Sequence, residues 1–267
     1  MSVDKRVERM PKSPVFIVGS PRSGTSILVR ALVGVGYQGY NEGNFLPLMN
    51  VIDRAIDIHF SIYGKPNPNV LAAQVDPKIL KSRIEDMFKE LMDTLIKGPL
   101  WFDKSGNAEM IQAIPVLRRL WPDSVYIFAK RRAIENVVSR VKKFPAHNFE
   151  HHCADWAKNM AAWRQVREEL PSGAYLEVDQ QDLIRNTEAT SAKISNFLEL
   201  GRERLETLVN IFQSRRPQET TKGSALKTYS LERLGWSETE LAIFKKHCDP
   251  EMQAFGYGSG SEYDLER

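Results

Sequence analysis

The sequence predicts an α/β protein with three layers, in which helices cover both faces of a central parallel sheet. Short apolar runs alternate along the chain with longer segments whose apolar residues recur every three or four positions. Runs that are apolar at every position are typical of parallel strands buried on both faces. Strands that alternate with helices are joined by right-handed crossovers, which places the helices on the two faces of the sheet.

The first strand is predicted at residues 15–18, and the helix that follows it ends near Gly34 and Gly36. The glycine-rich stretch 36–44 is a loop or a very short strand. We interpret residues 43–100 as a helical insertion. It contains one helix near residues 45–60, a proline-containing excursion, and a second helix that opens at Asp76-Pro77 and runs to about residue 95.

The second half of the chain continues the alternation. Further strands are predicted at residues 100–102, 125–129 and 174–178, and helices near 110–120, 134–141, 149–170 and 188–200. Trp156, Met160 and Trp163 form an apolar stripe that is expected in the core. We assign residues 1–267 to a single domain.

Composition narrows the functional classes. The 267 residues carry a net charge of +3, which is too small to indicate nucleic-acid binding. No apolar run reaches the roughly 18 residues of a membrane helix, and the polar N-terminal segment does not resemble a signal peptide. Cys153 and Cys248 are too few for a disulfide framework. We therefore expect a cytoplasmic protein with no membrane span, and composition makes no prediction of its oligomeric state.

The loop after the first strand is the strongest functional signal. Its spacing, Gly19-x-x-x-x-Gly24-x-Ser26, nearly matches the nucleoside-triphosphate P-loop and predicts a P-loop-NTPase-like topology. Thr25 stands where the P-loop has lysine, and Arg22 supplies a cation inside the turn. Together with the hydroxyls of Ser23, Thr25 and Ser26 and the backbone N–H groups, it offers donors for a tetrahedral anion.

Two other strand ends carry cationic and hydroxyl side chains. Asp103-Lys104-Ser105 ends one predicted strand and Lys130-Arg131-Arg132 ends another. Ligands of open α/β sheets bind beyond the carboxyl ends of the strands, so the three ends are expected to converge on one crevice. Arg131 and Ser139 could hold a second phosphate there, some distance from the first.

With these two anion sites and no P-loop lysine, the chain resembles the sulfotransferases that use 3′-phosphoadenosine 5′-phosphosulfate (PAPS). The similarity runs from about residue 14 to residue 200. It implies that Arg22, Ser23, Gly24, Thr25 and Ser26 hold the 5′-phosphosulfate, and that Arg131 and Ser139 hold the 3′-phosphate. Lys222, in Thr221-Lys222-Gly223, resembles a segment that closes over the 3′-phosphate. The run Arg131-Arg132-Ala133-Ile134 departs from the Arg-Asp-Pro-Arg of many members after its first arginine.

The resemblance implies transfer of a sulfuryl group to a hydroxyl or amine by in-line displacement, with 3′-phosphoadenosine 5′-phosphate (PAP) as the leaving product. Arg22 would neutralise charge on the leaving group. The histidine that serves as base in cytosolic members is absent, because Gly106 occupies its position. We favour Glu42 as the base, because it lies at the position of the glutamate that serves as base in other members. The alternative is that Glu42 is an ordinary solvated acid of the loop. Lys104 would orient the sulfuryl oxygens or bind the acceptor; otherwise it is a surface or helix-capping lysine.

The acceptor is expected to be a small molecule, a lipid or a carbohydrate, with residues 43–100 as the wall or lid of its pocket. No metal is expected: His147 and His151 have the i, i+4 spacing of a metal pair, but no second ligand group follows at a recognisable spacing.

Two other functions remain open. One is a lysine-less P-loop kinase or nucleotidase, although only Asp103 could serve as its magnesium ligand at a strand end. The other is a catalytically silent nucleotide-binding regulator that keeps the anion site but lacks a base.

Overall fold

A parallel sheet lies at the centre of the protein. The computed structural model describes residues 13–96, 98–214 and 228–263. Within these ranges five strands pair in the order β2-β3-β1-β4-β5, every pair parallel. Their bounds are β1 Val15–Gly19, β2 Gln38–Tyr40, β3 Trp101–Lys104, β4 Val125–Lys130 and β5 Tyr175–Asp179. Four of these strands are the ones that the apolar runs predict, and β2 lies in the stretch 36–44, for which a loop or a very short strand is predicted.

Helices cover both faces of this sheet. One face carries α1 Thr25–Gly34, α8 Gln180–Arg185, α9 Thr187–Phe197 and α10 Arg202–Ser214. The other carries α2 Pro47–Tyr63, α3 Pro77–Leu95, α4 Ala108–Gln112, α5 Ile114–Leu120, α6 Ala133–Lys143, α7 Phe149–Arg167 and α11 Glu238–Ala254. The three-layer α/β/α class is confirmed.

Two apolar cores separate the sheet from its helices. Along β1, Phe16 and Val18 point into one core while Val15 and Ile17 point into the other, and all four are almost completely buried. This explains the run without polar alternation, because both faces of a central parallel strand are covered. The predicted core stripe of α7 is confirmed: Trp163 stacks on Phe128 with ring centroids 4.5 Å apart.

Some elements differ from the prediction. Residues 38–40 do form a strand, although all three are exposed, because they pair with β3 at the edge of the sheet. The short helix α8, which the sequence does not signal by periodicity, begins where the Asp179 carboxylate accepts a hydrogen bond from Gln181 N at 2.7 Å. The predicted contribution of Lys222 lies outside the described residues.

Residues 43–100 contain α2, α3 and the 3-10 turn Leu71–Gln74. Most of the large apolar side chains that stay exposed in the described chain lie here. Leu48, Val51, Ile58 and Ile62 form a stripe along one side of α2. None of the helices within the described ranges combines the length and the apolarity that crossing a membrane requires.

Candidate active site

The loop between β1 and α1, residues 19–24, presents an uncapped helix N-terminus. Gly24, with φ of 94°, precedes α1 in the left-handed conformation, which glycine adopts without strain. Among the described residues, no side chain caps α1 and no acidic residue lies in its first turn. The helix dipole and the first N–H groups are therefore available to an anion.

Arg22 lies at the centre of a cluster of cationic and hydroxyl side chains. Its Nε donates to Ser139 Oγ at 3.0 Å, and Arg131 Nη1 donates to the Arg22 carbonyl at 3.1 Å. The sequence predicts that Arg131 and Ser139 hold a second phosphate some distance from the first, and in the structure both residues contact Arg22 directly. Trp156 Nε1 holds the Arg131 carbonyl at 3.0 Å, so the stripe of α7 also fixes this cluster.

The two guanidiniums share a poorly solvated environment. Burial lowers the pKa of Arg22, and it lowers the pKa of Arg131 as well, with the charge of Arg22 adding to the effect. Arginine nevertheless stays protonated near neutral pH. Two partly desolvated positive charges at one place favour an anion with more than one negative charge.

The three loop hydroxyls have different surroundings. Ser26 is exposed at the start of α1, and Thr25 is buried beside it. Ser23 is also buried, and its Oγ accepts a hydrogen bond from Asn136 Nδ2 at 3.0 Å. Ser23 therefore ties the loop to α6 in this structure, in addition to the anion-binding role that the resemblance implies.

Glu42 and Lys104 form an ion pair at the ends of β2 and β3. The Lys104 side chain is only 5% exposed, while that of Glu42 is 59% exposed. Lys104 is therefore not a surface lysine, and Glu42 is not simply a solvated loop acid. β3 lies parallel to β1, with Lys104 in register with Ile17. The ion pair therefore lies at the carboxyl ends of the strands, where the anion loop also lies.

The loop that carries Glu42 is held firmly. Asn44 N donates to Ser105 Oγ at 3.0 Å, and Ser105 Oγ donates to Asp103 Oδ2 at 3.1 Å. A Cβ at residue 43 would overlap the Asp103 carboxylate, so any residue other than glycine there would have to displace that buried side chain. Burial raises the pKa of Asp103 to about 6, although Ser105 and Lys104 oppose the shift.

We expect the substitution Asp103→Asn to stabilise the protein at alkaline pH. The pKa of Asp103 is about 6 in the folded chain, above the ordinary value of 3.8. Between these two pKa values the folded state binds more protons than the unfolded state, so the stability of the wild-type protein falls as the pH rises from about 4 to about 6 and beyond. The ionised Asp103 carboxylate therefore lowers the free energy of unfolding by about 3 kcal/mol at about pH 8, and this loss disappears toward about pH 4. The asparagine variant avoids the loss because its side chain does not ionise. Urea unfolding of the variant at both pH values, beside the exposed control Asp123→Asn, measures it. An equal effect at both pH values would contradict this assignment.

Arg132, where the chain departs from the sequence pattern of the resembled family, is completely buried. It forms a double hydrogen bond with Glu135, at 2.8 and 2.5 Å. Its remaining donors bind backbone carbonyls of the C-terminal segment, namely those of Tyr229, Gly258, Gly260 and Glu262, at 2.7 to 3.0 Å. Arg132 thus anchors that segment while the adjacent Arg131 faces the anion loop. Sequence reasoning missed this role.

The imidazole rings of three histidines near the start of α7, His147, His151 and His152, pack against one another. His147 stacks on His151 with centroids 4.3 Å apart, and His152 is buried. In the described ranges no three His, Cys, Asp or Glu residues are grouped so that they could hold a metal ion.

The 2-3-1-4-5 parallel sheet and the anion loop after β1 define a fold of the P-loop type, with Thr25 at the position of the loop lysine and Arg22 as the cation of the loop. The chain belongs to the sulfotransferase family, whose model matches residues 14–204. An uncharacterized protein of Aquifex aeolicus (strain VF5) is 22% identical over 271 residues, which cover 91% of this chain and 34% of that protein. The chain thus spans about a third of the length of this curated relative.

Solved sulfotransferase structures share the fold. The sulfotransferase domain of the Synechococcus PCC 7002 olefin synthase has a TM-score of 0.56 at 18% identity, covering 97% of this chain and 99% of that domain. Mouse sulfotransferase SULT7A1, complexed with PAP, has a TM-score of 0.50 at 13% identity, covering 91% and 85%. Mycobacterium avium STF9 has a TM-score of 0.50 at 13% identity, covering 90% and 77%.

Proposed function

We propose that this protein transfers a sulfuryl group from PAPS to a hydroxyl or amine of an organic acceptor. The observation that carries the proposal is the contact of Arg22 with both Ser139 and Arg131 in a loop that lacks the P-loop lysine. The Glu42–Lys104 pair, at the end of a neighbouring strand, adds an acid–base group to the same edge of the sheet.

The donor groups would hold a nucleotide with two anionic groups in two sites that adjoin where Arg22 contacts Ser139 and Arg131. Arg22, the N–H groups at the start of α1 and the hydroxyls of Thr25 and Ser26 would hold the 5′-phosphosulfate. Arg131 and Ser139 would hold the 3′-phosphate. The PAP bound to the mouse sulfotransferase supports this choice of nucleotide. Lys222 would contribute to the 3′-phosphate site, as the resemblance implies.

In the proposed transfer reaction, each of these residues would have a separate role. PAPS supplies the sulfuryl group. Arg22 and the α1 N-terminus would stabilise the charge that builds on the leaving bisphosphate. Glu42 would accept the proton of the acceptor, since its carboxylate is exposed enough to meet it. Lys104 holds that carboxylate and would orient the sulfuryl oxygens.

Residues 43–100 would form the wall or lid of the acceptor site. The segment starts at the Glu42 loop, and α2 carries the exposed apolar stripe described above. This surface supports an acceptor with an apolar part, from among the small molecules, lipids and carbohydrates that we consider. We also propose a cytoplasmic setting, because Cys153 and Cys248 are both free thiols.

The choice of nucleotide is directly testable. Thermal unfolding with PAP and with ATP plus Mg²⁺ should show stabilisation by PAP, because ligands that bind only the folded state raise the melting temperature. Stabilisation by ATP plus Mg²⁺ alone would favour the kinase or nucleotidase. Tight PAP binding without transfer to any member of a broad acceptor panel would favour the silent regulator.

The substitution Arg22→Ala should weaken PAP binding by about 10-fold to 100-fold, as expected when one hydrogen-bonded charge is lost from an anion site. Titration calorimetry measures this loss. Arg30→Ala removes an exposed arginine from α1, the helix that follows the loop, and should leave PAP affinity unchanged. Equal affinities of the two variants would contradict the role of Arg22.

A further inference from the structure

Two polar side chains of α6 lie beneath the anion loop. Asn136 and Arg140 are four residues apart and therefore occupy one face of the helix. Asn136 is completely buried and Arg140 is 4% exposed. Neither has a part in the proposed transfer, and polar groups this deeply buried call for an explanation.

Both side chains bind the loop itself. Asn136 Nδ2 donates to Pro21 O and to Ser23 Oγ, each at 3.0 Å. Arg140 Nη1 donates to Ser20 Oγ at 3.2 Å, while its Nη2 is held by Asp155 Oδ2 at 2.7 Å. The loop is thus bound by side-chain donors on both sides of Arg22.

The geometry of Arg22 explains why the loop needs such support. Its φ is 74°, in the left-handed region that residues other than glycine rarely adopt. Such a conformation persists only where the surroundings hold it. The carbonyl that Asn136 binds belongs to the Pro21–Arg22 peptide, so this hydrogen bond restrains the rotation that would release Arg22.

The hydrogen bonding of these two side chains is incomplete. Asn136 Oδ1 and Arg140 Nε are buried without a partner among the described residues. Apolar side chains would avoid these two unpaired atoms, but they would also remove the donors to Pro21 O, Ser23 Oγ and Ser20 Oγ. The contacts that Asn136 and Arg140 make to the loop account for their presence.

We propose that Asn136 and Arg140 are positioning residues, which preset the anion loop in the shape that receives the 5′-phosphate end of the nucleotide. The inference rests on the proposed use of PAPS. It predicts that their loss weakens binding through the 5′-phosphate while the 3′-phosphate site keeps its affinity.

The variant Asn136→Leu keeps the approximate size of the side chain and removes both donated hydrogen bonds without adding a charge beside the anion loop. We expect its affinity for PAP to fall at least 10-fold, while its affinity for adenosine 3′-monophosphate changes less than twofold. The control Val141→Ala alters an exposed residue of the same helix and should change neither. Unchanged PAP affinity in folded Asn136→Leu, or an equal loss for both ligands, would overturn the positioning role.

A double-mutant cycle keeps the test decisive if the leucine variant does not fold. Ser23→Ala removes the acceptor of one of the two hydrogen bonds that Asn136 donates. The losses of PAP affinity in Ser23→Ala and Asn136→Ala should therefore combine to less than their product, because the two side chains share that interaction. Fully multiplicative losses would overturn the inference. If the wild-type chain binds ATP plus Mg²⁺ instead of PAP, the proposed function is wrong, and unchanged ATP affinity in Asn136→Leu then overturns the positioning role as well.

Discussion

Replacing Glu42 with glutamine is expected to lower the rate of sulfuryl transfer by about 10²-fold to 10⁴-fold, the usual contribution of a general base. Glutamine has nearly the same size and can still accept a hydrogen bond from Lys104, so the loop should keep its position. It cannot take the proton of the acceptor. PAP affinity should be unchanged, because Glu42 lies at the ends of β2 and β3 and not in the anion loop.

The measurement uses radiolabelled PAPS and an extract of the host as the source of acceptors, with the sulfated product followed over time. Glu109→Gln is the matched control, since Glu109 is also an exposed glutamate paired with a lysine, Lys158, but lies on α4. A Glu42→Gln variant that transfers at the wild-type rate would show that another group accepts the proton, and would leave the class of enzyme unchanged.

Replacing Arg132 with methionine is expected to lower the free energy of unfolding by about 3–5 kcal/mol, the usual cost of breaking a buried ion pair. The substitution leaves the Glu135 carboxylate buried, with Tyr229 N as its remaining hydrogen-bond donor at 3.0 Å. It also leaves the carbonyls of the C-terminal segment without their shared donor. Both effects penalise the folded state.

Urea unfolding followed by circular dichroism measures this difference. The control Arg202→Met breaks an ion pair in which the arginine side chain is 91% exposed, and it should change stability by less than about 1 kcal/mol. The double variant Arg132→Met, Glu135→Gln should recover part of the lost stability, since it removes the unpaired charge. A loss no greater than that of the control would show that the anchor contributes little.

The strands and the anion loop could be predicted because their signals are local. β1 and β4 lie in the middle of the sheet, so each is a continuous apolar run, and the loop spacing is contained in eight residues. The edge strand β2 was left open, because its three exposed residues are held by pairing with β3 rather than by burial.

Contacts between distant parts of the chain could not be predicted from local patterns. The bond from Arg22 to Ser139 spans 117 positions and the bond from Arg132 to Gly260 spans 128. Asn136 and Arg140 have the i, i+4 spacing of one helix face, beside the buried Ala133 and Val137. That pattern was a usable signal for a polar site against the core, but it does not name the loop as the partner.

The way Arg132 holds the C-terminal segment has a consequence for evolutionary change and for protein engineering. Arg132 binds the carbonyls of residues 258, 260 and 262, which any amino acid provides, and not their side chains. Substitutions in this stretch should therefore be tolerated far better than a one-residue insertion or deletion, which would move every carbonyl out of reach. The side chain of Tyr263 is the exception, because its hydroxyl accepts from Arg132 N at 2.8 Å and donates to Asp179 at 3.1 Å. The number of residues in the segment 258–263 therefore matters more for this anchor than the identity of most of them.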